Sequence, residues 1–230
     1  PAEAGFKDHH VAALGREGEV KHIPEWITEA GSPAPSSLKT ILVGGGPSGF
    51  EQVATLEQAL KELPDAGGIV ELVTDGPYFL NPTQLTNRAT VVVRAAIGRV
   101  PLVVLLAEPD QPYDSLLQVT NGALTLEGLQ VLVDARQFAT NDPLTFVTVQ
   151  SGDLAIVRCS FTLLGNRSGK TFAFGAEGKV TRADVKQSPR ARVFTRESVV
   201  RGAALGTFHI DQTQTDLVAS RCVFATGAAP

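Results

Sequence analysis

From residue 91 onward one six-residue pattern of apolar and polar positions keeps returning. It reads Val91-Val92-Val93-Arg94-Ala95-Ala96, Leu124-Thr125-Leu126-Glu127-Gly128-Leu129 and Leu154-Ala155-Ile156-Val157-Arg158-Cys159. It returns as Val193-Phe194-Thr195-Arg196-Glu197-Ser198 and Leu217-Val218-Ala219-Ser220-Arg221-Cys222. Apolar residues alternate with others, as in a strand that buries one face, and the sixth position is small or apolar. A strand pattern repeated in this way predicts a stack in which each repeat buries its apolar face only against its neighbours. The copies start at 91, 124, 154, 193 and 217, spacings of 33, 30, 39 and 24 residues. The shortest suits three short strands per turn, and the longer ones predict loops around 107–118, 134–143 and 165–190.

Upstream, Lys39–Val43 carries a short strand signal. Thr55 then opens a helix over 55–63, with Gln58 at the reciprocal position of a capping box. Leu56, Ala59, Leu60 and Leu63 fall on one face, and Pro64 with Gly67-Gly68 stops the helix. Ile69–Leu72 is a strand leading to the turn Asp75-Gly76-Pro77-Tyr78. Aligning Val70 with Val91 places it one turn before the first full copy. A helix laid across the first turn covers an apolar end and unpaired strand edges. The expected fold is therefore all-β, a strand solenoid over 39–230 capped by the 55–63 helix. Residues 1–38 read as an extension and linker: they hold Gly-Ser-Pro-Ala-Pro-Ser-Ser at 31–37, and Pro24–Ile27 reads as a short helical turn.

Composition narrows the functions. A net charge of −4 without a basic stripe weighs against nucleic acid. No apolar run approaches a membrane span. The chain starts at Pro1 and has no Met, which reads as an excerpt or trimmed form of a longer protein. Cys159 and Cys222 share the sixth position with Ser198 between them. Two strand spacings put them about 10 Å apart, beyond the reach of about 7 Å for a disulfide, so both are expected as small buried residues. His9-His10 lacks accompanying metal ligands. Gly165-Asn166-Arg167-Ser168-Gly169-Lys170-Thr171 ends like a phosphate loop but has three rather than four residues between its glycines, and no helix follows. Gly44–Gly49 has the wrong spacing for a dinucleotide turn.

Thr55–Leu60, Asp65–Leu72 and Gly76-Pro77-Tyr78 resemble the opening of the pectin-lyase-like parallel β-helix superfamily, and the later copies resemble its coil repeats. The Arg94-Ala95-Ala96 coil with the Asp75–Tyr78 turn also resembles β-helix regions of large planctomycete multidomain proteins. The resemblance implies a right-handed parallel β-helix of roughly six turns and slightly favours an extracytoplasmic or cell-surface location. It leaves function open, because the superfamily holds lyases, hydrolases, esterases, tail spikes and surface proteins. The superfamily's Asn-Thr-Asp, Asp-Asp, Gly-His-Gly and Arg-Ile-Lys hydrolase motifs do not occur here. Gly76-Pro77-Tyr78-Phe79-Leu80 begins like the esterase motif but lacks its acid.

Two rows of charge stack along the copies. The fourth positions align Arg94, Glu127, Val157, Arg196 and Ser220; the fifth align Ala95, Gly128, Arg158, Glu197 and Arg221. Neither row contains a pair of acids for Ca²⁺. Arg158, Glu197 and Arg221 form either a surface ion-pair ladder or an anion-binding strip for a carboxylated sugar, with Arg94, Glu127 and Arg196 beside them. His209-Ile210-Asp211 puts an imidazole and a carboxylate on one strand face, read either as an acid/base pair or as a structural, solvated pair, with no nucleophile apparent beside it. Arg182, Arg190, Arg192, Arg196 and Arg201 make 180–201 basic, read as a solvated loop. The expectation is a non-catalytic module of a larger protein, either structural or presenting a site for glycans or other surface ligands, needing no cofactor and no metal, with homo-oligomers compatible. The rival is a lyase or hydrolase of acidic polysaccharide.

Overall fold

The computed structural model describes residues 38–46, 49–107, 113–138, 143–165, 169–178, 190–211 and 214–227. The 1–37 segment, with its histidine pair and Trp26, lies outside these, as do Asn166–Ser168 and Arg182. The described residues hold nineteen strands, numbered in chain order, in three parallel sheets. The first runs β18 (Gln214–Ser220), β15 (Arg190–Arg196), β12 (Asp153–Val157), β9 (Ala123–Glu127), β6 (Val91–Ala95), β3 (Gly68–Leu72), β1 (Thr40–Val43), β2 (Glu51–Val53). The second runs β19 (Val223–Gly227), β16 (Val199–Ala203), β13 (Ser160–Leu164), β10 (Gln130–Asp134), β7 (Leu102–Leu105), β4 (Tyr78–Leu80). The third runs β17 (Leu205–Asp211), β14 (Thr171–Glu177), β11 (Leu144–Gln150), β8 (Ser115–Thr120), β5 (Thr83–Thr86).

From β3 on, every strand pairs with the strand three places further along, so the chain visits the three sheets in turn and adds one rung at each pass. The repeated pattern sets the register of the first sheet. Val91 pairs with Leu124, Leu124 with Leu154, Leu154 with Val193 and Val193 with Leu217. The alternation turns Leu124, Leu154 and Val193 inward, where they join Val131, Phe161 and Val200 of the second sheet and Val147 and Phe174 of the third in one core. Phe161 and Phe174 meet edge to face, their ring centroids 4.9 Å apart at 82°.

The helix α1 (Leu56–Glu62) lies where expected and buries Leu56, Ala59 and Leu60, with Leu63 just beyond. Thr55 caps it by accepting from the Gln58 backbone N–H at 3.1 Å. The reciprocal half of the capping box does not form: the Gln58 side chain reaches forward to Glu62 instead, at 2.8 Å. Leu56 and Leu60 overlie Leu80, Leu85 and Val93, closing the β4–β5 end of the core over a cavity of about 20 Å³.

Four expectations need correction. Val70 pairs with Val93, not Val91, whose partner is Gly68. Ser115–Thr120 and Thr171–Glu177 are strands where loops were expected. The basic stretch 180–201 is not a solvated loop over its described part: Arg190–Arg196 and Val199–Ala203 are strands, because Arg190 and Arg192 find Asp216 and Asp153 on neighbouring strands. Cys222 is half-buried rather than buried, since among the described residues no further strand lies over its rung; both cysteines are free thiols.

Two corners turn the chain between sheets, each built on left-handed backbone. One column is Asn87, Asn121 and Ser151, at φ of 54°, 55° and 55°. Asn suits this conformation because its short polar side chain bonds locally, and Asn121 Nδ2 donates to Asn87 Oδ1 at 3.2 Å. The other column is Gly128, Arg158, Glu197 and Arg221, at φ of 71°, 52°, 52° and 54°.

Candidate functional site

The second corner is the row of charges that the sequence singled out. Its residues stack as expected: Arg158 N–H donates to Arg196 O and Glu197 N–H to Ser220 O, each at 2.9 Å. The side chains do not form one strip. Arg221 pairs with Glu197 at 3.3 Å, while Arg158 turns away from Glu197 to Glu127 on the preceding rung. Glu127 is open to it because Arg94, its register neighbour, is held by Glu71, with Nε at 2.8 Å and Nη2 at 2.7 Å.

The outcome is a row of alternating sign, Glu71, Arg94, Glu127, with Arg158 closing it. This row lines a groove of about 660 Å³ together with Ala95–Arg99 and Gly128. Arg99, also lining it, is loosely held by Asp75 at 3.8 Å, and Ile97 is fully exposed at the groove. Of the expected ligand residues, Arg94, Glu127 and Arg158 come together; Glu197 and Arg221 form a separate surface pair. Arg196 is half-buried along the same sheet, and its Nε is buried without a hydrogen-bond partner.

The sequence reading places Glu71 on the Ile69–Leu72 strand but not among the candidate ligand residues, so the acid pair Glu71 and Glu127 went unseen. They sit two strand spacings apart, about 9.6 Å between backbones, with Arg94 between them. Their neighbours are guanidiniums, not carboxylates. The arrangement offers donors and acceptors in alternation, as sugar hydroxyls and a carboxylate require.

His209 and Asp211 lie on the outer face of β17, well away in sequence register from the groove strands. His209 stacks on Phe172, centroids 4.8 Å apart at 15°. Asp211 is exposed and pairs in register with Glu177. No hydrogen bond joins His209 to Asp211 among the described residues. Cys159 is buried, and burial pushes its thiol up to about 12.

Among the described residues no group of three or more His, Cys, Asp or Glu is placed to hold a metal ion, and no helix is long and apolar enough to cross a membrane. No protein-family model, no curated protein and no solved structure matches this chain. The class of protein defined by the fold is mostly-β, built from three parallel sheets around one core.

Proposed function

We propose that this chain is a right-handed parallel β-helix module whose side groove binds an acidic glycan without cleaving it. The strand order, in which each strand pairs with the third one along in all three sheets, supports the helical path. The observation that carries the binding reading is the Glu71–Arg94–Glu127–Arg158 row lining one wall of the groove. Its guanidiniums exchange a protein carboxylate for a sugar carboxylate, and its carboxylates accept from hydroxyls. A periodic ladder of side chains along strands also suits a periodic polymer better than a small metabolite.

A second reading, hydrolysis or lyase chemistry on the same polymer, is favoured by one observation. Glu71 and Glu127 stand two rungs apart on one sheet, a backbone spacing of about 9.6 Å, beside the carboxyl separation of about 6.5–9.5 Å found in inverting glycosidases. One experiment decides between them: neutral and acidic polysaccharides are presented with and without Ca²⁺, and bound glycan is read together with released reducing or unsaturated ends. Binding of acidic glycans that is lost in Arg94→Ala and Arg158→Ala, with no release of ends, is the expected result. Release of ends that Glu71→Gln or Glu127→Gln abolishes would replace the binding reading with the enzymatic one. No binding by any of the polysaccharides would overturn both.

A further inference from the structure

We propose that the β17–β18–β19 end of the ladder is the interface of a two-fold dimer of this chain. The inward rows of the three sheets reach this end uncovered. Leu217 is 40% exposed where its row mates Val193 and Leu154 are 2% and 1% exposed; Ile210 and Phe224, also in core rows, are 51% and 37% exposed. Phe208 packs between Phe174 and Phe224 at the same end. The other end differs, being closed by α1 and lengthened by β1 and β2.

Among the described residues, three strand edges at this end pair with no further strand and ring this apolar surface. Natural edges are usually blunted by Lys or Pro or by a covering element; β17, β18 and β19 contain neither residue. Their charge is also low. Asp216 is neutralised by Arg190 behind it and Glu197 by Arg221. A partner must offer three open edges around an apolar centre, and another copy's same end does so.

A two-fold axis through β18 makes the contact isologous, with strands running antiparallel across it. Centred on Leu217, it sets Leu217 against itself, Thr215 against Ala219 and Asp216 against Val218, so no like charges meet. The same axis pairs β17 of one copy with β19 of the other. The ionisable residues of β17, His209 and Asp211, then face Val223–Gly227, which carries no charge.

The test is sedimentation of the 230-residue chain with two variants. The chain is expected to sediment as a dimer, and Leu217→Lys as a monomer with an unchanged circular dichroism spectrum. Facing Leu217 Cα atoms lie about 4.5–5.5 Å apart in such a pair, inside the disulfide range of about 4.4–6.8 Å. Leu217→Cys in a Cys222→Ser background is therefore expected to cross-link as a dimer on mild oxidation, an outcome that survives if the lysine variant misfolds. The control Phe79→Ser, an exposed position at the opposite end, should leave the dimer intact. A monomeric parent chain, or a dimer that Leu217→Cys fails to cross-link, overturns the proposal and assigns this end to a different partner.

Discussion

Adjacent corner residues Ser151 and Gly152 should respond in opposite directions to a change of one carbon. Ser151 sits at φ 55°, a conformation that disfavours a Cβ. Left-handed backbone costs an L residue about 1–2 kcal/mol. Glycine loses about 0.5–1 kcal/mol of that through greater chain entropy in the unfolded state. Ser151→Gly should therefore be neutral to slightly stabilising. Gly152 needs its missing carbon for another reason. A Cβ built there lies 2.1 Å from the carbonyl oxygen of Gly122 on the rung before. That oxygen accepts from Asp153 N–H at 2.9 Å, so the rungs cannot part without loosening this bond. Overpacking of about 1–3 kcal/mol, with a weakened hydrogen bond of about 0.5–1.5 kcal/mol, puts Gly152→Ala at about 2–4 kcal/mol of destabilisation. Urea denaturation measures the global effect, and amide exchange at Asp153 the local one. If Gly152→Ala stays within about 0.5 kcal/mol of the parent, the close rung contact does not constrain the fold and the reasoning fails. It fails equally if Ser151→Gly destabilises as much as Gly152→Ala.

Three further outcomes are expected. Phe161→Ala removes a fully buried ring and its contact with Phe174, and should cost about 3–5 kcal/mol in urea denaturation. The Cys159 thiol, pushed up to about 12 by burial, should resist alkylation in the native chain and react fully only after denaturation, as peptide mapping would show. Lys61 and then Asn81 hold Glu57 below its ordinary 4.5, and Arg136 holds Asp134 below its ordinary 3.8. Carboxyls lowered on folding contribute stability above their unfolded values and lose it as pH falls through their folded ones. Denaturation midpoints should thus be level from neutral pH to about 5 and decline below about 4; both groups are only half-buried and remain open to solvent, so each should contribute less than about 1 kcal/mol, and Glu57→Gln should flatten the decline.

Much of the architecture was legible because the repeated copies share both parity and a small or apolar sixth position. Those two marks fix the register from Val91 through Leu217 without ambiguity. They fail one rung earlier. Val70 fits opposite Val91 or Val93 equally well, since a shift of two residues keeps the same face inward. The deciding residue is Gly68, which reads as a helix stop but is the first residue of β3, opposite Val91. It is glycine because a Cβ would lie 2.6 Å from Leu63 Cδ2 and 2.7 Å from Lys39 O. The two-residue slip moved Glu71 away from Arg94 and hid the acid pair of the groove. The pairing of Arg158 with Glu127 was hidden for a different reason. It depends on Arg94 being already taken by Glu71, a competition among side chains that stacking order alone does not express. The arginines at 190 and 192 looked like loop residues because their acidic partners lie 26 and 39 residues away along the chain.

The one-way strand order has a mechanical consequence. The described chain enters at β1, one strand in from the β2 edge, and leaves at β19, at the other end of the stack. Pulling between these points loads β1 and β19 first, and each rung must detach before the next bears force. Extension should then proceed by unpeeling, one rung per event. Between Val91 and Leu217 a rung holds 24 to 39 residues, so each release should lengthen the chain by about 80–140 Å at full extension. Rungs with long corner excursions would give the longest steps, making the order of step sizes a readout of which end yields first.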